Sequence, residues 1–271
     1  MYSGQMEDTM SKPDESEMDN NSPTAPSWLW ALLEVPRALA EAGSLFSARA
    51  LLRNLPAGDG HSVMTLPGFL ASDRSMRTVR TYLRRWGFDA HRWDMGRNLG
   101  LSRSRDVETL LDQRLQKIFE QSGQKVSLIG WSLGGMFARE LARRHPERVR
   151  SVITMGSPIG DPKATNAWRL FEVVSDIRVD NEYIQERVAQ LRSPIHDVPM
   201  TSIYSVSDAV VSAEIAKLPP GDDVENIGVA ASHFGMGFNP AVFFAIADRL
   251  RQPEGEWQPF DISGIRRLFF H

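Results

Sequence analysis

Gly130-Trp131-Ser132-Leu133-Gly134 sets a serine midway between two glycines. A serine at the apex of a sharp strand-to-helix turn has its hydroxyl lifted clear of the sheet. Glycines on either side let strand and helix pass without a side-chain clash. The turn also aims the next backbone N–H, that of Leu133, into the same space. Such geometry suits attack on a carbonyl carbon. The five-residue pattern alone is weak, since chance supplies it in roughly one chain in ten of this length. Its companions must decide.

A serine hydroxyl is a poor nucleophile at neutral pH. It needs a general base, and the base needs an orienting acid. Six histidines are available. His145 sits in a helix-ending His-Pro-Glu run, and His271 is terminal. His61 and His91 lie at or within strands that precede the serine. His196 closes an inserted stretch, beside Asp197. His233 lies in the glycine-rich loop Ser232-His233-Phe234-Gly235-Met236, ahead of the last helix, and is the expected base. Asp208 is the expected acid, because it places a carboxylate at a strand's carboxyl end and is followed by the apolar Ala209-Val210-Val211. The plainer use of Asp208 is a turn or helix-capping aspartate. Asp161 is the rival acid.

The elements that position these groups follow from hydrophobic periodicity. Strands are expected at residues 61–68, 88–95, 125–130, 149–156, 201–206 and 224–229. Helices are expected at 75–86, 106–121, 133–145 and 239–250. Strands alternating with helices imply a parallel sheet covered on both faces. Sites in such sheets lie at the carboxyl ends of the strands. Gly68, Ser132, Ser157, Asp208 and His233 all fall at or just beyond expected strand ends. Residues 161–199 break the alternation. Their apolar positions, among them Trp168, Phe171, Tyr183, Ile184, Val188 and Leu191, have mostly helical spacing. The insertion is expected to form a small cap over the strand ends, with packing on the core as the alternative. The pocket is expected to draw on Trp131, Trp168, Phe171 and Phe234.

Composition narrows the rest. The 271 residues are 42% hydrophobic, enough for a sizeable core, and the net charge of −3 gives no sign of nucleic-acid binding. Residues 1–26 carry a net charge of −5, which leaves the remainder at +2. This acidic start reads as a disordered tail without the basic and apolar regions of a secretory signal. There are no cysteines, so disulfides, thiolate metal sites and cysteine nucleophiles are excluded. Neither HExxH nor a phosphate-cradling G-x-x-x-x-G-K-[ST] occurs, and no metal or cofactor is expected. Residues 28–40 are apolar and helical in character, interrupted by Glu34, Pro36 and Arg37. That run is too short and too broken to cross a bilayer. It reads as a helix packed on the domain surface, with membrane contact or a homodimer face as its other uses. The chain divides into the tail 1–26, a helical segment 27–60, and a domain 61–271 carrying the insertion 161–199. A cytoplasmic location is expected.

Taken together, Gly-Trp-Ser-Leu-Gly-Gly, the Leu66-Pro67-Gly68-Phe69 turn, Ser205-Val206-Ser207-Asp208-Ala209-Val210-Val211 and Ser232-His233-Phe234-Gly235-Met236 come in an order that resembles the α/β-hydrolase superfamily. The likeness is greatest to its bacterial serine esterases and lipase-type members, and covers roughly residues 61–251. It implies an α/β-hydrolase fold of about six mostly parallel strands with helices on both faces. It also implies a triad of Ser132, Asp208 and His233, and an oxyanion hole from the N–H groups of Phe69 and Leu133. Two departures stand out. Pro67 occupies the position where the family often has histidine. Residues 28–54 read as helical where many members begin with a strand pair. The activity implied is hydrolysis of small carboxylic esters bearing an apolar group. Thioesterase, lactonase, amidase or acyltransferase chemistry could use the same triad. A carboxylate-nucleophile dehalogenase is disfavoured by the serine apex, and a non-enzymatic binding protein by the presence of all three residues. Asn98, in Gly96-Arg97-Asn98-Leu99-Gly100, has no expected chemical role beyond a turn.

Overall fold

The computed structural model describes residues 24–27, 31–100, 106–175, 178 and 182–271. Most of the acidic tail, Trp28 and Ile177 lie outside the described residues, as do the side chains of Tyr183 and Ile184.

Six strands form one parallel sheet: β1 (Ser62–Leu66), β2 (Asp89–Arg92), β3 (Val126–Trp131), β4 (Val149–Met155), β5 (Met200–Tyr204) and β6 (Val224–Gly228), in the order β2-β1-β3-β4-β5-β6. The helices are α1 (Glu34–Arg53), α2 (Arg77–Arg85), α3 (Val107–Ser122), α4 (Leu133–Arg144), α5 (Trp168–Ser175), α6 (Glu182–Arg192), the single turn α7 (Ala213–Ala216) and α8 (Pro240–Leu250). Strand interiors are buried on both faces, as a doubly covered parallel sheet requires. Alternation along each strand divides the core. Val63, Ile129, Ile153, Ile203 and Ile227 meet α1, α2 and α8 on one face. Met64, Leu66, Leu128, Val152 and Met200 meet α3 and α4 on the other.

Local chemistry explains the boundaries. Asp106 caps α3 by accepting from Thr109 N, and Gly123 ends it in the left-handed region. Asn239 caps α8, with Pro240 at its first position. The strand expected at 201–206 stops instead at Tyr204. Beyond it Ser205 Oγ accepts from Ser207 N and donates to Ala231 O, so side chain replaces ladder. The second strand is also shorter than expected. Asp73 accepts from Trp93 N and Asp94 N, and Asp94 turns to φ 59°.

Residues 161–199 contribute α5 and α6. Arg139 of α4, buried with no carboxylate partner among the described residues, donates through its guanidinium to Leu191 O at the end of α6, where carbonyls are unpaired. Burial lowers its pKa to about 10, with Arg143 adding to the effect.

The start of helix α1 inverts the usual amphipathic rule, whereas Leu45 and Leu52 further along it pack into the core. The Glu34 side chain is 1% exposed, whereas Val35 is 59% and Leu39 70% exposed. Two of the residues that interrupt the apolar run therefore face the protein, and parts of the apolar run face out.

Candidate active site

The carboxyl ends of β1, β3, β4, β5 and β6 carry the groups of interest. At the end of β3 the backbone of Ser132 adopts φ 52°, ψ −125°, a conformation that costs a non-glycine residue about 1–3 kcal/mol. It is held by Ser132 N donating to Met155 O and by Gly135 N donating to Ser132 O. A Cβ at Gly134 would fall on the Leu66 carbonyl and lie 2.7 Å from Pro67 O, so helix α4 starts with its backbone against β1.

The turn after β1 lies against the serine. A Cβ on Gly68 would sit 3.2 Å from Ser132 Cβ and 3.3 Å from Trp131 O. Phe69 N–H and Leu133 N–H find no acceptor among the described residues. Leu133 is the first residue of α4, where an N–H has no intrahelical partner and the helix dipole favours negative charge. Asn98 fixes this turn. Its Nδ2 donates to Pro67 O at 2.8 Å and its Oδ1 accepts from Gly100 N at 3.0 Å. Its backbone pairs with Leu70 N and Ala71 O. Leu70 is left at φ 59° inside that clasp. Expected only as a turn residue, Asn98 is buried to 1% exposure under the loop that presents Phe69.

Asp208 and His233 meet. His233 Nδ1 donates to Asp208 Oδ2 at 2.7 Å, with both residues buried. The other carboxylate oxygen accepts from Val210 N and Val211 N, each at 2.8 Å. Asp208 is thus a turn aspartate and the histidine's partner at once. An ionised carboxylate can only accept, so Nδ1 carries the proton and Nε2 keeps its lone pair. Burial pushes the imidazole pKa down. The Asp208 carboxylate, and after it that of Glu34, outweigh burial and leave His233 above the ordinary value. The two rings beside it, Trp131 and Phe234, have centroids 6.3 and 5.7 Å away. Trp131, just before the serine, donates Nε1–H to His233 O at 3.2 Å. Ser132 Oγ and His233 Nε2 are not hydrogen-bonded to one another here. Such bonds often form only once substrate is bound.

A cavity partly open to solvent has Ser132 and Leu133 among its lining residues. Phe69, Trp168, Phe171 and Val188 line it, so α5 and α6 supply part of its wall. Phe171 packs on Phe69 at 5.5 Å between centroids. Trp131 and Phe234 are not among the lining residues. Trp131 points to the opposite face of the sheet, and Phe234 is 48% exposed at the His233 loop. Asp161, the rival acid, caps the turn at Lys163. His61 pairs with Asp59 and Ser127, and His145 with Asp112, so both are engaged elsewhere.

Sequence reasoning missed Glu34, Arg37 and Glu41, which reach this site from α1. Glu34 accepts from Ala209 N and Phe234 N, Arg37 donates to Ser207, and Glu41 accepts from Ser232 N. The one available signal was the set of charges breaking an apolar run.

Comparison with known proteins agrees with this architecture. The mature lipase of Bacillus licheniformis superposes with a TM-score of 0.57 at 15% identity, over 73% of this chain and 95% of that one. Lipase B of Aspergillus fumigatus gives 0.54 at 17% identity, over 73% and 54%. In sequence, pimeloyl-[acyl-carrier protein] methyl ester esterase of Citrobacter koseri is 32% identical over 86 residues, 27% of this chain and 34% of that protein. The same enzyme of Klebsiella pneumoniae is 40% identical over 47 residues, 17% and 18% of the two chains. The chain therefore spans about a third or less of the length of these curated relatives. A family model described as alpha/beta hydrolase fold matches residues 48–227, a stretch that starts late in α1 and stops short of His233. With two thirds of its length matched and the six-stranded sheet in place, the chain belongs to the alpha/beta hydrolase fold family.

Proposed function

We propose that the protein is a serine hydrolase of carboxylic esters. The observation that carries this reading is the buried Asp208–His233 hydrogen bond beside a serine held in a strained elbow. Ser132 Oγ bonds to the ester carbonyl carbon while its proton passes to His233 Nε2. The carbonyl π-electrons move to oxygen, and the N–H groups of Phe69 and Leu133 receive that oxyanion. Collapse breaks the C–O bond to the alcohol, which leaves with the proton from His233. Water then repeats the sequence on the acyl-enzyme, releasing acid and restoring Ser132. Asp208 keeps the imidazole in the useful tautomer and stabilises its charged form.

Ester rather than thioester, lactone or amide is favoured by the partial likeness to a methyl ester esterase. An apolar acyl or alcohol group is favoured by the Phe69, Trp168 and Phe171 lining. The test is labelling by a fluorophosphonate probe, with hydrolysis of p-nitrophenyl esters of increasing chain length alongside. Labelling and turnover are expected in the native protein, with turnover falling about 10³-fold or more in Ser132→Ala. Activity surviving that substitution would refute the mechanism. A preference for small charged esters would refute the apolar pocket. Among the described residues no helix is long and apolar enough to cross a membrane.

A further inference from the structure

Three charged residues of α1, spaced i, i+3 and i+7 at Glu34, Arg37 and Glu41, meet the two loops that carry Asp208 and His233. Their targets are the immediate neighbours of those residues. Ahead of Asp208, Arg37 donates to Ser207 O at 2.6 Å and to Ser207 Oγ at 2.7 Å. Behind it, Ala209 N donates to Glu34 Oε1 at 2.9 Å. Ahead of His233, Ser232 N donates to Glu41 Oε1 at 2.7 Å. Behind it, Phe234 N donates to Glu34 Oε2 at 3.1 Å. Acid and base are each bracketed on both sides, and one carboxylate, Glu34, spans the two loops.

We propose that Glu34 is a positioning residue for the hydrolytic reaction, holding the Asp208 loop and the His233 loop in register, with Arg37 and Glu41 as its braces. This rests on the serine-hydrolase reading. A carboxylate buried to 1% exposure is expensive unless its oxygens are satisfied. If the site needed only bulk, an apolar side chain would fill it more cheaply. What the carboxylate adds is two directional, charge-assisted bonds aimed at backbone N–H groups on separate loops. Arg37 lies 3.9 Å from Glu34 and partly offsets its charge. Glu41 also takes Asn239 Nδ2 at 2.9 Å, which ties the His233 loop to the start of α8. A side chain at Gly235 would fall on the Glu41 carboxylate, which gives the glycine of Ser232-His233-Phe234-Gly235 a steric reason. The family match begins at residue 48, after all three residues. The brace therefore lies outside the matched stretch.

The charged groups around His233 are Asp208 from its partner loop and Glu34 from α1, with Glu41 and Arg37 one residue removed. Removing the Glu34 charge should therefore move the acid limb of kcat/KM to lower pH, an effect that mere loosening of structure does not produce.

The experiment compares the full-length native chain with Glu34→Gln, Glu41→Gln and an outer-face control, Leu39→Ser. Peptide-resolved hydrogen exchange is measured together with pH profiles on p-nitrophenyl butyrate. Glu34→Gln is expected to lose amide protection in peptides covering 205–211 and 230–236 while β3 and α4 stay protected. It should lower kcat by about 10- to 100-fold at little change in KM and shift the acid limb downward. Glu41→Gln should loosen the 230–236 peptide alone, which keeps the test informative if Glu34→Gln does not fold. Leu39→Ser should match the native chain. Native protection in both loops of Glu34→Gln, or a native kcat and acid limb, overturns the proposal. If the native protein neither hydrolyses esters nor takes the fluorophosphonate, the hydrolase reading falls and with it the catalytic role given to Glu34. Native-like exchange in those variants would then show separately that the brace itself is absent.

Discussion

Helix α4 reaches the site through bare backbone, whereas α1 reaches it through charged side chains. At α4 the close passage of Gly130 against Gly135 fixes the serine within one strand–turn–helix unit, and Gly134 lies against Leu66 and Pro67 at the end of β1. At α1 the inner face is Glu34, Arg37 and Glu41, while Val35 and Leu39 are left to solvent. Contact between backbones tolerates no added atom, but a side-chain tether tolerates some change of length or charge. The proposed nucleophile is thus set by close backbone contacts, and the proposed acid and base are set by long-range polar bonds.

The contrast orders the expected effects of mutation. Gly134→Ala should be the most damaging, because its methyl would meet main chain that cannot rotate away. A loss of about 3 kcal/mol or more in urea unfolding is expected. A stability within 0.5 kcal/mol of the native chain would show that α4 is not so closely held. Asn98→Ala comes next. It leaves Pro67 O and Gly100 N–H buried and unpaired, worth about 1–3 kcal/mol each. If it also displaces Phe69 N–H, turnover should fall by about 10- to 100-fold toward the loss of a full oxyanion donor. Unchanged kcat in the folded variant would separate Asn98 from the site.

The third effect concerns pH. His233 must be neutral to accept the serine proton, and its pKa is raised by Asp208 and Glu34. Activity should therefore be low in acid and rise with pH, with its midpoint above the ordinary histidine value of 6.5. A midpoint below that value would mean burial outweighs the two carboxylates. Arg37→Ala should be mildest. Its side chain is 25% exposed and its bonds go to the single residue Ser207. About 1 kcal/mol of stability and a few-fold in kcat/KM are expected. A larger effect than that of Glu34→Gln would shift the centre of the brace from Glu34 to Arg37.

The same contrast explains what could be read from the sequence. Ser132 and its glycines sit within five residues, and the strand before and helix after them show their periods plainly. The parallel sheet follows from the alternation of strands and helices, and the strand ends near Asp208 and Asp94 differ from expectation where Ser205 and Asp73 take over backbone groups. Asn98 was visible as a turn but not as the clasp on Pro67, because its partner lies 31 residues away. Glu34, Arg37 and Glu41 were least legible. Periodicity assigns charged residues of a surface helix to solvent, and here that assignment is inverted because their partners are loop amides rather than water.

The separations in those tethers carry a consequence for how the protein is made. Arg37 waits for Ser207, 170 residues later, and Glu34 for Phe234, 200 residues later. At about 5–20 residues per second of synthesis, α1 leaves the ribosome roughly 10–40 s before its last partner exists. The elbow at Ser132, which needs its own neighbours, β1 and Met155 of β4, can assemble in that interval. The acid and base can be locked together only after residue 234 has emerged. A nascent chain would thus carry its proposed nucleophile early and gain the Asp208–His233 pair only once residue 234 has emerged.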